Sequence, residues 1–295
     1  MRDHLDGKPF RKIARWCTQS KSTVLRQYQR ALQEIPDNNA LTKKYCDRFC
    51  GIIVVDGKYI AVKGYEKKIP LLWGLDYLTH DVPMFLMAPS ESYESWLKYF
   101  GYLKSIRYPL KIVICDDNIN IQMAAEYMFP NVIIQICHNH YLENIRKALQ
   151  VRTEVTYQQF VFDLKRELFT GKRTREDFQG RAFGLYKKYT DNTVAVTYLL
   201  KIQKDFAVLT GAALVPGAPT TTNIIESYNS HLQARLKSIK GFQSFTSAKK
   251  WINAYIVQRR FRPFTDCTKK FRMLNGKTSI SKTLRKGAVL PLLTI

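Results

Sequence analysis

The chain has 295 residues, enough for one large domain or two modest ones with a substantial core. Lys and Arg number 47 against 24 Asp and Glu, a formal net charge of +23, while 45% of residues are hydrophobic and 13% aromatic; a disordered basic tail is excluded, and a folded protein with a polyanionic partner, nucleic acid, is indicated. The longest apolar runs, such as 52–55, fall far short of the roughly 18 residues of a membrane span, the N-terminus has no apolar secretory segment, and the six cysteines are too sparse for a disulfide scaffold, so a reducing, cytoplasmic setting away from membranes is expected.

Residues 7–17 read as a short helix, and Thr18-Gln19-Ser20 supplies turn and N-cap chemistry. A second helix is predicted over 21–32, with Val24, Leu25, Tyr28, Ala31 and Leu32 at helical spacing and Lys21, Arg26 and Arg30 on its other faces. This is the outline of a helix-turn-helix over residues 1–35, whose second helix would present those three basic residues to a DNA major groove. A plain basic helical hairpin has the same outline. Pro36-Asp37-Asn38-Asn39-Ala40 breaks the pattern, and 36–50 is expected to be a linker.

The character then changes to α/β. Gly51-Ile52-Ile53-Val54-Val55-Asp56 is a β-branched run ending in a carboxylate; 71–77 and 83–87 read as two further strands and 93–106 as an amphipathic helix. Lys111-Ile112-Val113-Ile114-Cys115-Asp116 is a second buried-looking strand ending in Asp, followed by a helix over 121–129 and a strand over 132–136. Residues 152–210 carry only helical stripes (Phe160, Leu164 and Leu168; Phe178 and Tyr186; Val194, Tyr198, Leu199, Ile202 and Phe206), read as core positions of an all-helical insertion. A rigid Pro216-Gly217-Ala218-Pro219 loop precedes Thr220-Thr221-Thr222-Asn223, which opens a long helix, and from 231 onward there are 15 Lys or Arg and a single acid, Asp266.

Asp56, Asp116 and Glu226 stand at structurally marked places: two at predicted strand ends and one in the first turns of a helix. Ligands gather at the carboxyl ends of strands in α/β sheets, and oxygen donors of this kind suit Mg²⁺ or Mn²⁺; two such ions about 3.5–4 Å apart stabilise both the attacking and the leaving oxygen of a phosphoryl displacement. Each acid also has a plainer role, since Asp after a strand starts turns and Asn223-Ile224-Ile225-Glu226 fits a cap in which Glu bonds back to the cap residue. Asp117 is the alternative to Asp116.

With these elements in place, the sequence resembles the DDE transposases of the Mutator-like superfamily, of the bacterial insertion-sequence type, over roughly residues 50–262. The resemblance is carried by Val54-Val55-Asp56-Gly57 and Ile114-Cys115-Asp116, by the Cys-x-x-His step Cys137-His138-Asn139-His140, by the Thr-Thr-Asn-x-x-Glu element from Thr221 to Glu226, and by the helical insertion. It implies a ribonuclease H-like fold, a mixed sheet flanked by helices, over 51–262 with insertion 152–210 and a basic tail over 263–295. It also implies that Asp56, Asp116 and Glu226 bind two Mg²⁺ or Mn²⁺ ions, that the enzyme cuts the 3′ end of a mobile element and joins it to target DNA, and that it acts on double-stranded DNA as a homo-oligomer.

Cys137 and His140 have metal-ligand spacing, and Cys46 and Cys50 offer two further thiols, but the spacing of the latter pair is loose and a zinc site is not favoured. In the resembling family the Cys-x-x-His step lies near the catalytic pocket, so Cys137 and His140, with Asn223, are assigned to support of the active site, with plain packing as the alternative. Arg235, Lys237, Lys240, Arg259 and Arg260, interleaved with Phe242, Phe245, Trp251 and Tyr255, are expected to grip DNA phosphates. Two rivals remain: a non-catalytic DNA-binding protein derived from a transposase, and a ribonuclease H-like nuclease. A tyrosine recombinase is disfavoured because His231-Leu232-Gln233-Ala234-Arg235 lacks the His-x-x-Arg spacing.

Overall fold

A computed structural model describes residues 1–239 and 241–293. At the N-terminus, α1 (Arg2–Leu5), α2 (Phe10–Trp16) and α3 (Lys21–Glu34) pack as a small helical layer. Ser20 caps α3 by accepting from the Thr23 N–H at 3.1 Å, and Val24 and Tyr28, one turn apart, form its buried face. The expected linker is instead structured in part: α4 (Asn38–Tyr45) is capped by Asp37, and Asn38 and Thr42 point fully inward. Asp37-Asn38, read as a breaker, acts here as a helix start.

The chain then builds a mixed sheet from β1 (Ile52–Ile60), β2 (Ile69–Asp76), β3 (Phe85–Met87), β4 (Ile112–Cys115) and β5 (Ile133–Ile136). Its five strands are ordered β3-β2-β1-β4-β5. β1, β2 and β3 pair antiparallel, whereas β4 and β5 run parallel to β1. Side chains alternate across the sheet as period two demands. Ile52, Val54 and Trp73 face a core shared with the N-terminal helices and the helices after residue 222. Ile53, Val55, Leu72 and Val113 face α5 (Tyr93–Ser105) and α6 (Ile119–Met128), which bury Trp96, Tyr99, Phe100 and Ala124. With both faces covered, β4 and the first four residues of β1, Ile52 to Val55, are apolar throughout.

After β5 come α7 (His138–Ala148), α8 (Gln158–Leu164), α9 (Arg175–Lys188), α10 (Thr193–Lys204) and α11 (Phe206–Leu209). They close a second core containing Phe160, Leu164, Leu168, Phe178, Leu199 and Ile202. Tyr186 and Val194, expected in those stripes, are exposed. The chain ends with α12 (Asn223–Ile239), α13 (Phe245–Phe261) and α14 (Ser279–Thr283). α14 buries Ser279, Ile280 and Thr283, so the predicted tail is at least partly folded back onto the body. No described helix is long and apolar enough to cross a membrane.

Candidate active site

The register of the sheet brings two of the predicted acids together. β1 continues past Asp56 to Ile60, so Asp56 lies within the strand and not at its end. What ends near it is the parallel ladder: Val54 pairs with Ile114, and β4 stops at Cys115. Asp56 and Asp116 each lie two residues further on, and period two directs both to the face that carries Val54 and Ile114, the face covered by α12. α12 buries Ile225, Tyr228 and Leu232 against this face and brings Glu226 and Asn229 to its polar edge.

His140 joins the second and third acids. It occupies the first turn of α7, and the N–H of Cys137 donates to the Cys115 carbonyl at 2.8 Å, holding the end of β5 against the end of β4. His140 Nδ1 lies 2.6 Å from Asp116 Oδ1, and Nε2 lies 3.8 Å from Glu226 Oε1. The Asp116 contact, with that of Cys137, pushes the imidazole up to about 11, which makes it a cation between two carboxylates at neutral pH. Thr222, buried just before α12, completes the cluster. Its hydroxyl lies 2.7 Å from Glu226 Oε1, 3.2 Å from Cys137 Sγ and 3.3 Å from His140 Nδ1, and its N–H donates to the same sulfur at 3.3 Å. Burial alone would raise the Cys137 thiol, but hydrogen bonds from His140 and Thr222 outweigh it and leave the thiol below its ordinary value.

Asp56 has the opposite electrostatics. Burial comes first and the charge of Asp116 second, with Glu91 adding to them; the Gly57 N–H and His140 offset only part, and its carboxyl is pushed up to about 7. Its Oδ1 accepts from the Gly57 N–H at 2.8 Å and its Oδ2 accepts from Asn229 Nδ2. Asp116 Oδ1 meets His140 Nδ1 and has no further partner. Asp56, Asp116 and Glu226 are hard oxygen donors of the kind a divalent cation takes, and His140 spans the latter two.

Other predicted positions divide. Asp117 turns from this cluster toward Lys201 Nζ, 3.8 Å away, which also meets Asp205 at 3.1 Å. Asn223 is exposed and accepts from Asn139 at 2.8 Å, tying α12 to α7 without touching the acids. Glu226 reaches back to the hydroxyl of Thr222, the residue just before α12, where the sequence suggested Asn223. Cys137, His140 and Glu226 offer ligand atoms within 4.8 Å of one another. Cys46 and Cys50 do not join them: Cys46 sits beside Arg260 and Cys50 against the Ile52 backbone.

Lys21, Arg26, Arg30 and Lys237 are exposed and Arg235 is half-exposed, whereas Lys240 lies outside the described residues. Arg259 stacks its guanidinium 4.4 Å from the centre of the Tyr228 ring. Arg260 is not available to DNA: it is fully buried, and its Nε and Nη2 take both oxygens of Asp81 at 2.8 and 2.7 Å. α13 is packed on several sides, and a basic residue on its buried face must find an internal acid.

Four residues that sequence reasoning missed complete the surroundings: Thr222, Asn229, Trp73 and Glu91. Asn229, one turn beyond Glu226, carried a usable signal in its spacing. Glu91 carried none. It lies in a loop before α5, accepts from Tyr59 at 2.8 Å and Asn118 at 3.2 Å, and covers Gly57 so closely that a Cβ there would lie 2.5 Å from its Oε2.

The chain thus combines a mixed α/β sheet, acids gathered where its parallel ladder ends and a strong positive charge. Residues 78–261 match the family described as "Transposase, Mutator family", and the chain belongs to that family. It is similar to the transposases for insertion sequence element IS256 in transposon Tn4001 from Staphylococcus aureus and Enterococcus faecalis, each 26% identical over 174 residues, which is 59% of this chain and 44% of the relative. The chain thus spans less than half the length of these relatives. The family match includes Asp116, Cys137, His140 and Glu226 and begins after Asp56.

Proposed function

We propose that the chain is a DDE transposase that cuts the 3′ ends of a mobile DNA element and joins them to target DNA. The observation that carries this reading is the placement of Asp56 and Asp116 two residues beyond Val54 and Ile114, the last pair of the parallel ladder, with Glu226 joined to Asp116 through His140. The ribonuclease H-like reading of the fold is supported by the mixed five-stranded sheet with helices on both faces.

In this reading Asp56, Asp116 and Glu226 would hold two Mg²⁺ or Mn²⁺ ions, which when bound supply Lewis acidity to the reacting phosphodiester. The rest falls to the chain. Asp56 must release a proton held near neutrality before it can act as a ligand. His140, cationic between Asp116 and Glu226, orients the two carboxylates it spans. Thr222 and Cys137 fix the imidazole and Glu226 in turn. Lys237 and Arg235 on α12 extend positive surface from the acids along the helix, suited to a DNA backbone. The α2–α3 pair, with Lys21, Arg26 and Arg30 exposed, is the proposed helix-turn-helix. Since two element ends must be processed in concert, the working form is a homo-oligomer on DNA.

The test is Mg²⁺- or Mn²⁺-dependent nicking and strand transfer on DNA carrying the flanking ends, comparing wild type with Asp56→Ala, Asp116→Ala and Glu226→Ala. All three variants should bind DNA and lose cleavage. A wild type that binds and never cuts, or variants that cut equally well, would replace this reading with a DNA-binding protein or a different active site.

A further inference from the structure

Asn229 follows Glu226 by three residues on α12, so it lies on nearly the same face one turn further along. It is buried, and its side-chain amide is used at both ends. Oδ1 accepts from the indole Nε1–H of Trp73 at 3.1 Å, and Nδ2 donates to Asp56 Oδ2. The two contacts are not independent. An indole N–H is a donor with no acceptor capacity, so it meets only the oxygen end of the amide, and the NH₂ end is thereby turned toward Asp56. A flipped amide would set N–H against N–H at Trp73 and oxygen against carboxylate at Asp56, losing both bonds within a buried site.

Trp73 is placed by the sheet. It is the cross-strand partner of Asp56 in the antiparallel register of β1 and β2, it is 1% exposed, and its ring meets Tyr228 edge-on at 6.3 Å. Donor and carboxylate therefore stand side by side on one face, and Asn229 spans them from the helix above. A neutral donor at this place orients Asp56 without cancelling its charge, as a Lys or Arg would.

We propose that Asn229 is a positioning residue for the reaction: locked by Trp73, its amide fixes the Asp56 carboxylate for metal binding and ties the helix carrying Glu226 to the strand carrying Asp56. This rests on the reading of Asp56 as a metal ligand. Outer-shell partners of metal ligands are commonly worth about 10–100-fold in metal affinity.

The experiment is Mn²⁺ binding to the full chain, with free ion counted by electron paramagnetic resonance, for wild type, Asp56→Asn, Asn229→Leu, Trp73→Phe and Asn229→Leu/Trp73→Phe. Folding of each is checked by thermal melting; should Asn229→Leu melt early, Trp73→Phe alone carries the comparison. Asn229→Leu is expected to weaken binding by about 10-fold or more, and Trp73→Phe by a smaller factor. The double variant should bind no more weakly than Asn229→Leu, because Trp73 acts only through the amide; a merely structural pair would give losses that multiply. Should Asp56→Asn lose Mn²⁺ while Asn229→Leu and Trp73→Phe bind within twofold of wild type, or should the two losses multiply, the proposal is overturned. If Asp56→Asn itself binds as wild type, the metal-ligand reading fails first and the inference falls with it.

Discussion

Replacing Arg260 separates a structural arginine from a DNA contact. Besides its two bonds to Asp81, Arg260 donates from Nη1 to Asn38 Oδ1 and Thr42 Oγ1, each at 2.8 Å, while Asp81 also accepts from Ser279 at 2.9 Å and Thr283 at 2.6 Å. One buried ion pair thus ties α4, the β2–β3 connection, α13 and α14. Burial would raise the Asp81 carboxyl, but the charge and hydrogen bonds of Arg260 hold it below its ordinary range. Arg260→Ala leaves that charge buried without its counter-ion, a loss of about 3–5 kcal/mol. At roughly 2.1 cal/mol/K per residue, an unfolding entropy near ~0.6 kcal/mol/K for a chain of this length, Tm should fall by about 5–8 °C. Arg260→Met/Asp81→Leu should recover most of it, because the desolvation cost goes with the pair. Because the folded-state pKa of Asp81 is lowered, its contribution is present above the ordinary carboxylate range and lost as pH falls through the folded value; the double variant should lose this acid sensitivity. The assays are thermal melting and DNA affinity against salt. Arg260→Ala should leave the slope of log affinity against log salt unchanged, whereas loss of a phosphate contact lowers it by about 0.9. A melting temperature near that of wild type together with a reduced slope would refute the buried-pair account.

Three further outcomes are expected. Asp56, with its carboxyl pushed up to about 7, must lose a proton to bind metal, so Mn²⁺ affinity measured by calorimetry should fall about tenfold per pH unit below that value; in the metal-free protein, ionising Asp56 opposes folding, so Tm should drop as pH rises from about 4 to 7, and Asp56→Asn should flatten the curve. Asp116→Asn should abolish nicking and Asp117→Asn leave it within a few-fold, because only Asp116 meets His140; the reverse order would reassign the ligand. Gly57→Ala should cost less than about 1 kcal/mol in urea unfolding, because the atoms a methyl meets first there are the movable carboxylate end of Glu91; a loss of about 3 kcal/mol would count against that account.

The strand runs ending near Asp56 and Asp116 and the helix bearing Glu226 were legible along the chain, because β-branched runs and helical periodicity are local and mark where carboxylates follow apolar segments. Cys137 and His140 were legible as a spaced pair for the same reason. Their joint use was not, since it needs β5 laid beside β4 and the start of α12 set over both. Arg259 and Arg260 differ by one position, yet one stacks on Tyr228 and the other is buried on Asp81; successive helical residues point about 100° apart, and only packing decides which meets an acid. Asn229 and Trp73 are 156 positions apart, and Glu91 reaches Gly57 across a loop. Such contacts follow from strand register and helix placement, which set distances that no local pattern encodes. Composition and periodicity therefore determined a basic, mixed α/β chain with acids at marked places, and tertiary structure alone decided which side chains hold those acids and which charges face inward.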